Sequence, residues 1–211
     1  MIYAFPKPDE PIRQGDIFVG LPRPDFSLDG IPILADQNQA EQVPWRQIAD
    51  SGKTVTALIG LTPVTAIVAS QNCDAARAPA VTLCEIREFR DVEKKSKDTT
   101  SPKKFAGIIT QHSRLNQKWF YLPPDSQIGW ESKMAVDFLV TLRIRRGDLE
   151  SLRDLRRGRL TDIPEAHFRE RLSQFFRRYP YDEWYPLDKQ EFGAYQKDYP
   201  EAKPFPWQTD T

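Results

Sequence analysis

The run Ala135–Ile144, AVDFLVTLRI, sets Val136, Phe138, Val140 and Leu142 at every second position. Alternation over that length predicts a β-strand with one buried face. Shorter runs of the same kind surround it: Ile12–Leu21, Thr54–Leu61, Val64–Ser70, Val81–Ile86, Phe105–Thr110 and Trp119–Leu122. Thr62-Pro63 reads as a tight turn between the second and third of these. Helical signals come late. Leu149, Leu152, Leu155 and Leu160 fall near helical spacing behind Asp148, a cap candidate, with Gly158 as the stop. Thr161-Asp162-Ile163-Pro164-Glu165 then opens a second helix, in which Phe168, Leu172, Phe175, Phe176 and Tyr179 recur on one face until Pro180. Many short strands followed by helices predict a mainly β, α+β fold: a small curled sheet or barrel with helices on one side.

The chain has 211 residues, 39% of them hydrophobic and 11% aromatic, enough to bury one sizeable core without staples. No apolar run approaches the roughly 20 residues that span a bilayer, and the N-terminus lacks a secretory pattern. No membrane association is expected. Cys73 and Cys84 stand apart, without a CxxC or Cys/His partner, which argues against a disulfide framework and a zinc site. The expectation is a cytoplasmic protein with no metal and no cofactor.

Lys plus Arg equals Asp plus Glu, 30 of each, which excludes a uniformly basic nucleic-acid binder. The charges come in blocks, however. Residues 94–104 contain five Lys, one Asp and no apolar side chain except the ring of Pro102, a solvated loop. Arg143–Arg178 carries eleven Arg, six acids and no Lys. Its Arg153, Arg156, Arg157 and Arg159 are candidates for an RNA-facing or acidic-partner-facing surface, or for helix-surface ion pairs. Residues 179–211 hold seven acids, three Lys and many aromatics. The expected division is a barrel with closing helices over 1–180 and an acidic aromatic arm over 181–211. The arm could cover the Arg-rich face, dock on another protein, or simply complete the core.

Ser70-Gln71-Asn72-Cys73-Asp74 clusters polar and reactive side chains where a strand ends. Such loops on a rigid scaffold often bind or react. Cys73 is a nucleophile candidate if a neighbouring base or cation favours its thiolate; otherwise it packs as a small hydrophobe. His112, with Ser113 and Arg114, supplies a loop imidazole and donors suited to phosphate.

The opening Arg13–Phe18 (RQGDIF), above all Gly15-Asp16-Ile17, and the run VDFLVTLRI…LRRGRLTDIPEAHFRERLSQF resemble the PemK/MazF toxin family. The likeness covers residues 12–178, with insertions near 24–53 and 90–118. It implies an SH3-like barrel with a C-terminal helix, a place in toxin–antitoxin or antiviral defence systems, and a protein or RNA partner, with a homodimer as the expected assembly. It also implies ribonuclease chemistry, for which the family uses an Arg at the start of the strand aligning with Val64–Ser70. There is no Arg between Gln47 and Ala76. The family's Thr at the end of the next strand is replaced by Ile86-Arg87. The leading expectation is therefore a binding protein without the usual ribonuclease site. The alternatives are an endoribonuclease rebuilt around Arg87, His112 and Arg114, and a thiol enzyme using Cys73.

Overall fold

The computed structural model describes residues 1–25, 27–34, 40–93, 101–103, 105–106, 118–177, 189–201 and 203. The chain forms two compact units, Met1–Phe175 and Phe176–Thr211. In the second, the helix Lys189–Asp198 ends on Tyr195 and Tyr199, whose rings stack at 4.7 Å.

The first unit is built on a seven-stranded sheet ordered β1-β9-β2-β5-β6-β8-β7. Its strands are β1 (Tyr3–Ala4), β2 (Asp16–Asp25), β5 (Gly60–Val68), β6 (Ala80–Glu88), β7 (Trp119–Leu122), β8 (Met134–Arg145) and β9 (Arg156–Leu160). All pairings are antiparallel. β3 (Ile31–Leu34) and β4 (Ala40–Val43) make a separate hairpin. With the helix Trp45–Ser51 (α1), it buries Ile31, Val43 and Ile48 in a small core of its own. The mainly β, antiparallel α+β expectation holds. The two edge strands are not hydrogen-bonded to each other. The sheet is nevertheless curled, because Tyr3 Oη on one edge donates to the Pro123 carbonyl just beyond the other, at 2.8 Å.

Each face of the sheet carries a core. On one, Ile17, Ile67, Ile86, Val136 and Phe138 pack against Phe168 and Phe175 of the long helix Asp162–Phe176 (α5). On the other, Phe18, Val68, Leu83 and Leu142 pack against Ala75 of helix Asn72–Arg77 (α2) and Leu149 of helix Arg146–Ser151 (α4). The short helix Phe89–Glu93 (α3) follows β6. Of the apolar positions predicted for α5, Phe168 and Phe175 are buried and Leu172 packs against them, whereas Phe176 is 70% exposed. Tyr179 lies outside the described residues.

Three local expectations need correcting. The strand from Gly60 runs straight through Thr62-Pro63, with no turn. Pro63 faces Pro22 of β2, and β6 pairs with β5 only from Thr65 onward, so the missing N–H of Pro63 leaves no ladder bond unmade. Second, the helix predicted to continue to Gly158 ends at Ser151. After a 3-10 turn at Arg153–Leu155, residues Arg156–Leu160 form β9 between β1 and β2. Gly158 leaves room there for Ile128, whose Cδ1 would lie 3.2 Å from an added Cβ and would have to shift by a few tenths of an ångström. Asp148 is inside α4 and accepts from Arg145 instead of capping. Third, the alternation of Val136–Leu142 is broken. Cys84 pairs with Thr141 but Glu85 with Asp137, so Phe138–Val140 bulge out of β8. Val136 and Phe138 enter one core and Leu142 the other.

Candidate functional site

The bulge in β8 places the most unusual chemistry of the sheet. Glu85 and Asp137 face each other across β6 and β8, and each is almost fully buried, at 4% and 6% exposure. A buried carboxylate needs partners. Arg23 of β2 reaches over β5 and donates from one nitrogen to both Glu85 oxygens, at 2.7 and 3.0 Å. This bond holds the Arg23 guanidinium in its charged form more firmly than usual. Arg87 donates to Asp137 Oδ2 at 3.3 Å, and the other Asp137 oxygen accepts the Leu139 N–H inside the bulge, at 3.0 Å.

The result is a row Arg23–Glu85–Asp137–Arg87 across the sheet. The acids are sunk, while the arginine side chains are 32% and 37% exposed. Each arginine is held by one amine. Among the described residues its other N–H groups make no hydrogen bond. Such forks suit a phosphate or carboxylate oxygen pair. The sequence reading named Arg87 and missed Arg23, Glu85 and Asp137. The signal was a lone acid inside each apolar run, LCEIR and VDFLV, where an inward charge demands a counterion.

The Arg-rich block divides. Arg156 and Arg159 are buried and turn inward to Asp16, which is fully buried. Asp16 Oδ2 accepts from both guanidiniums at 3.1 Å, and Oδ1 pairs with Arg159 Nε. The same arginines bind the carbonyls of Lys7, Glu10 and Pro11, clamping the N-terminal arm to β9. Glu10 also pairs with Arg159. Its carboxyl is held below the usual range, first by the Lys7 backbone N–H and then by the nearby arginines. Asp16 is thus a structural hub. Arg153 is half-buried and leans on the Asp9 carbonyl, while Arg157 is exposed. Arg143, Arg145 and Arg146 sit at the far end of β8, the last two paired with Asp148 and Glu150.

The predicted Ser70–Asp74 loop is mostly the start of α2. Ser70 and Asn72 are committed to the fold. Asn72 Oδ1 accepts the Gln14 N–H at 2.8 Å, and Ser70 Oγ accepts the Thr82 N–H at 2.9 Å. Buried Gln14 bonds the Ala69 carbonyl and accepts from Arg169, which also holds Glu165. Gln71, Cys73 and Asp74 are exposed. Cys84 is buried, and desolvation, aided by the Asp137 charge, pushes its thiol up to about 12. His112 and Arg114 lie outside the described residues. Among the described residues no group of His, Cys, Asp and Glu is placed to hold a metal. Among the described residues no helix is long and apolar enough to cross a membrane.

No family model, curated protein or solved structure matches this chain.

Proposed function

We propose that the protein is a binding protein, a PemK/MazF-like SH3-type barrel that grips the phosphates of single-stranded RNA through Arg23 and Arg87 without cutting the strand. The observation that carries this reading is the charged row itself: two half-exposed guanidiniums, each oriented by a buried carboxylate, on one sheet face. The curl that brings Tyr3 to Pro123 supports the barrel. Arg23 stands opposite Thr62, beside the start of the strand where the family's ribonucleases carry their arginine, and Arg87 stands at the end of the next strand. On this reading the row stands in for the arginine that the chain lacks at the start of that strand. Strand spacing sets Arg23 and Arg87 roughly 10 Å apart at their backbones, with β5 between them.

Binding is favoured over cleavage because attack by a ribose hydroxyl needs a base in reach. Both carboxylates in the row are sunk below the arginines and already accept their hydrogen bonds. Binding of a fluorescein-labelled single-stranded RNA, followed by anisotropy, tests the reading. The RNA should remain intact, and affinity should fall severalfold in Arg87→Gln. Cleavage that disappears in Arg87→Ala would replace the binding reading with the ribonuclease one.

A further inference from the structure

Among the described residues β7 is an edge strand, paired only with β8. The Phe138 N–H donates to the Lys118 carbonyl at 2.9 Å. This fixes the alternation along the edge: Phe120 and Leu122 turn their backbone groups toward β8, and Tyr121 turns its N–H and C=O outward. Among the described residues neither group of Tyr121 has a hydrogen-bond partner. Outward backbone pairs of this kind are the template on which an added strand forms.

A cavity of about 650 Å³ lies beside this edge, between β7 and α5. The Tyr121 ring packs on Phe89 and Phe105, so the residue meets the cavity with its backbone. Ile2, Phe120 and Ile163 make the apolar walls, and Ile2 and Ile163 are 39% and 73% exposed. Arg171 supplies a cation, and Glu170 also lines the cavity. Arg171 donates one bond to Gln174 Oε1 at 3.1 Å, and the Gln174 amide in turn donates to Glu170 at 3.0 Å. Gln174 therefore spaces Arg171 from Glu170 and leaves most of the guanidinium unbonded among the described residues. Partial burial already disfavours the charge on Arg171, which an incoming anion would relieve. From Ile163 to Gln174 the helix wall runs roughly 16 Å, the length of about five extended residues.

We propose that β7 and α5 form a docking groove for an extended acidic peptide of a partner protein. The peptide adds to the sheet edge at Tyr121, with an apolar side chain toward Ile163 and an Asp or Glu side chain, four residues away, on Arg171. Ile163 and Arg171 lie about 12 Å apart along the helix, close to the span of four strand residues, and side chains four apart point to the same face, so one peptide face serves both contacts. The groove lies on the sheet face opposite Arg23 and does not depend on the RNA reading.

The test is a bead-displayed library of random heptapeptides screened with the full chain. Enriched sequences should carry an apolar residue four positions from Asp or Glu. The best resynthesised peptide should lose at least tenfold in affinity when its central amide is N-methylated, and again when its acid is replaced by the amide. It should also protect the Tyr121 amide from hydrogen exchange. Arg171→Gln should weaken it comparably, with an unchanged thermal melt. No enrichment over blank beads, binding indifferent to N-methylation, or an unprotected Tyr121 amide would overturn the proposal.

Discussion

Asp16 and Arg159 stand 143 positions apart in the chain, yet their side chains close on each other inside the protein, with Asp16 fully buried. Arg156 completes the contact, so one carboxylate balances two guanidiniums and ties the N-terminal arm, β2 and β9 together. Removing the anion leaves two buried cations facing a neutral group. Asp16→Asn should destabilise the fold by about 3–5 kcal/mol. Urea unfolding measures this, with the exposed Arg157→Ala, expected within about 0.5 kcal/mol of wild type, as the reference. A loss below about 1 kcal/mol for Asp16→Asn would remove Asp16 as the hub.

Gly15, directly before that hub, has φ of 83°, and an added Cβ would meet Leu160 Cβ at 3.3 Å. Gly20 has a similar φ of 85° but open space around it. Alanine at either site takes a left-handed backbone strain of about 1–2 kcal/mol. Only Gly15→Ala adds crowding against the core. Its destabilisation should exceed that of Gly20→Ala by about 1 kcal/mol, read from denaturation midpoints. Equal losses would mean that the contact with Leu160 relaxes freely.

The two thiols should behave as opposites. Cys73 is exposed, whereas Cys84 is buried with its thiol raised to about 12. At pH 8, iodoacetamide followed by mass spectrometry should label Cys73 in the native protein and Cys84 only after unfolding. The sign for stability follows. Above about 9, the ordinary thiol value, the unfolded chain releases the Cys84 proton while the folded chain keeps it up to about 12. Stability contributed by this group is therefore full below 9 and lost as pH rises through that window. Tyr3, whose hydroxyl is raised mainly by burial, adds to the same alkaline loss. Native labelling of Cys84 at pH 8 would contradict the burial argument.

Glu85 is the buried partner of a cation that is itself one-third exposed. Arg23→Met leaves the buried carboxylate without the nitrogen that holds both its oxygens, and should lower the urea midpoint. Adding Glu85→Gln should recover part of that loss, because the stranded charge is then gone. A double-mutant cycle reads the coupling. Strict additivity of the two changes would show that the pair contributes nothing.

What could be read from the sequence followed the strength of local pattern. Trp119–Leu122 coincides with β7, and the Phe168–Phe175 face was visible because its apolar spacing is regular over several turns. The leucine spacing from Leu149 to Leu160 mimics a helix running to a stop at Gly158, whereas Arg156–Leu160 is a strand. What makes it a strand is Asp16 and the ladder to β2, both far away in the chain. The Phe138–Val140 bulge left no trace in the alternation, since all three residues are apolar. The charged row was half visible. Arg87 was noted where a family residue was missing, but Arg23 sits in a proline-rich stretch that gave no hint it would cross β5 to meet Glu85.

If Arg23 and Arg87 together hold RNA phosphate, the salt dependence of RNA affinity must run through both of them. Two phosphate contacts to a single strand predict a slope of log affinity against log salt of about −1.4, with each of Arg23→Gln and Arg87→Gln reducing its magnitude by about 0.7. Anisotropy titrations of a labelled single-stranded RNA at several salt concentrations give these numbers. Slopes in both variants equal to that of the wild type, or no binding by the wild type at low salt, would contradict the claim.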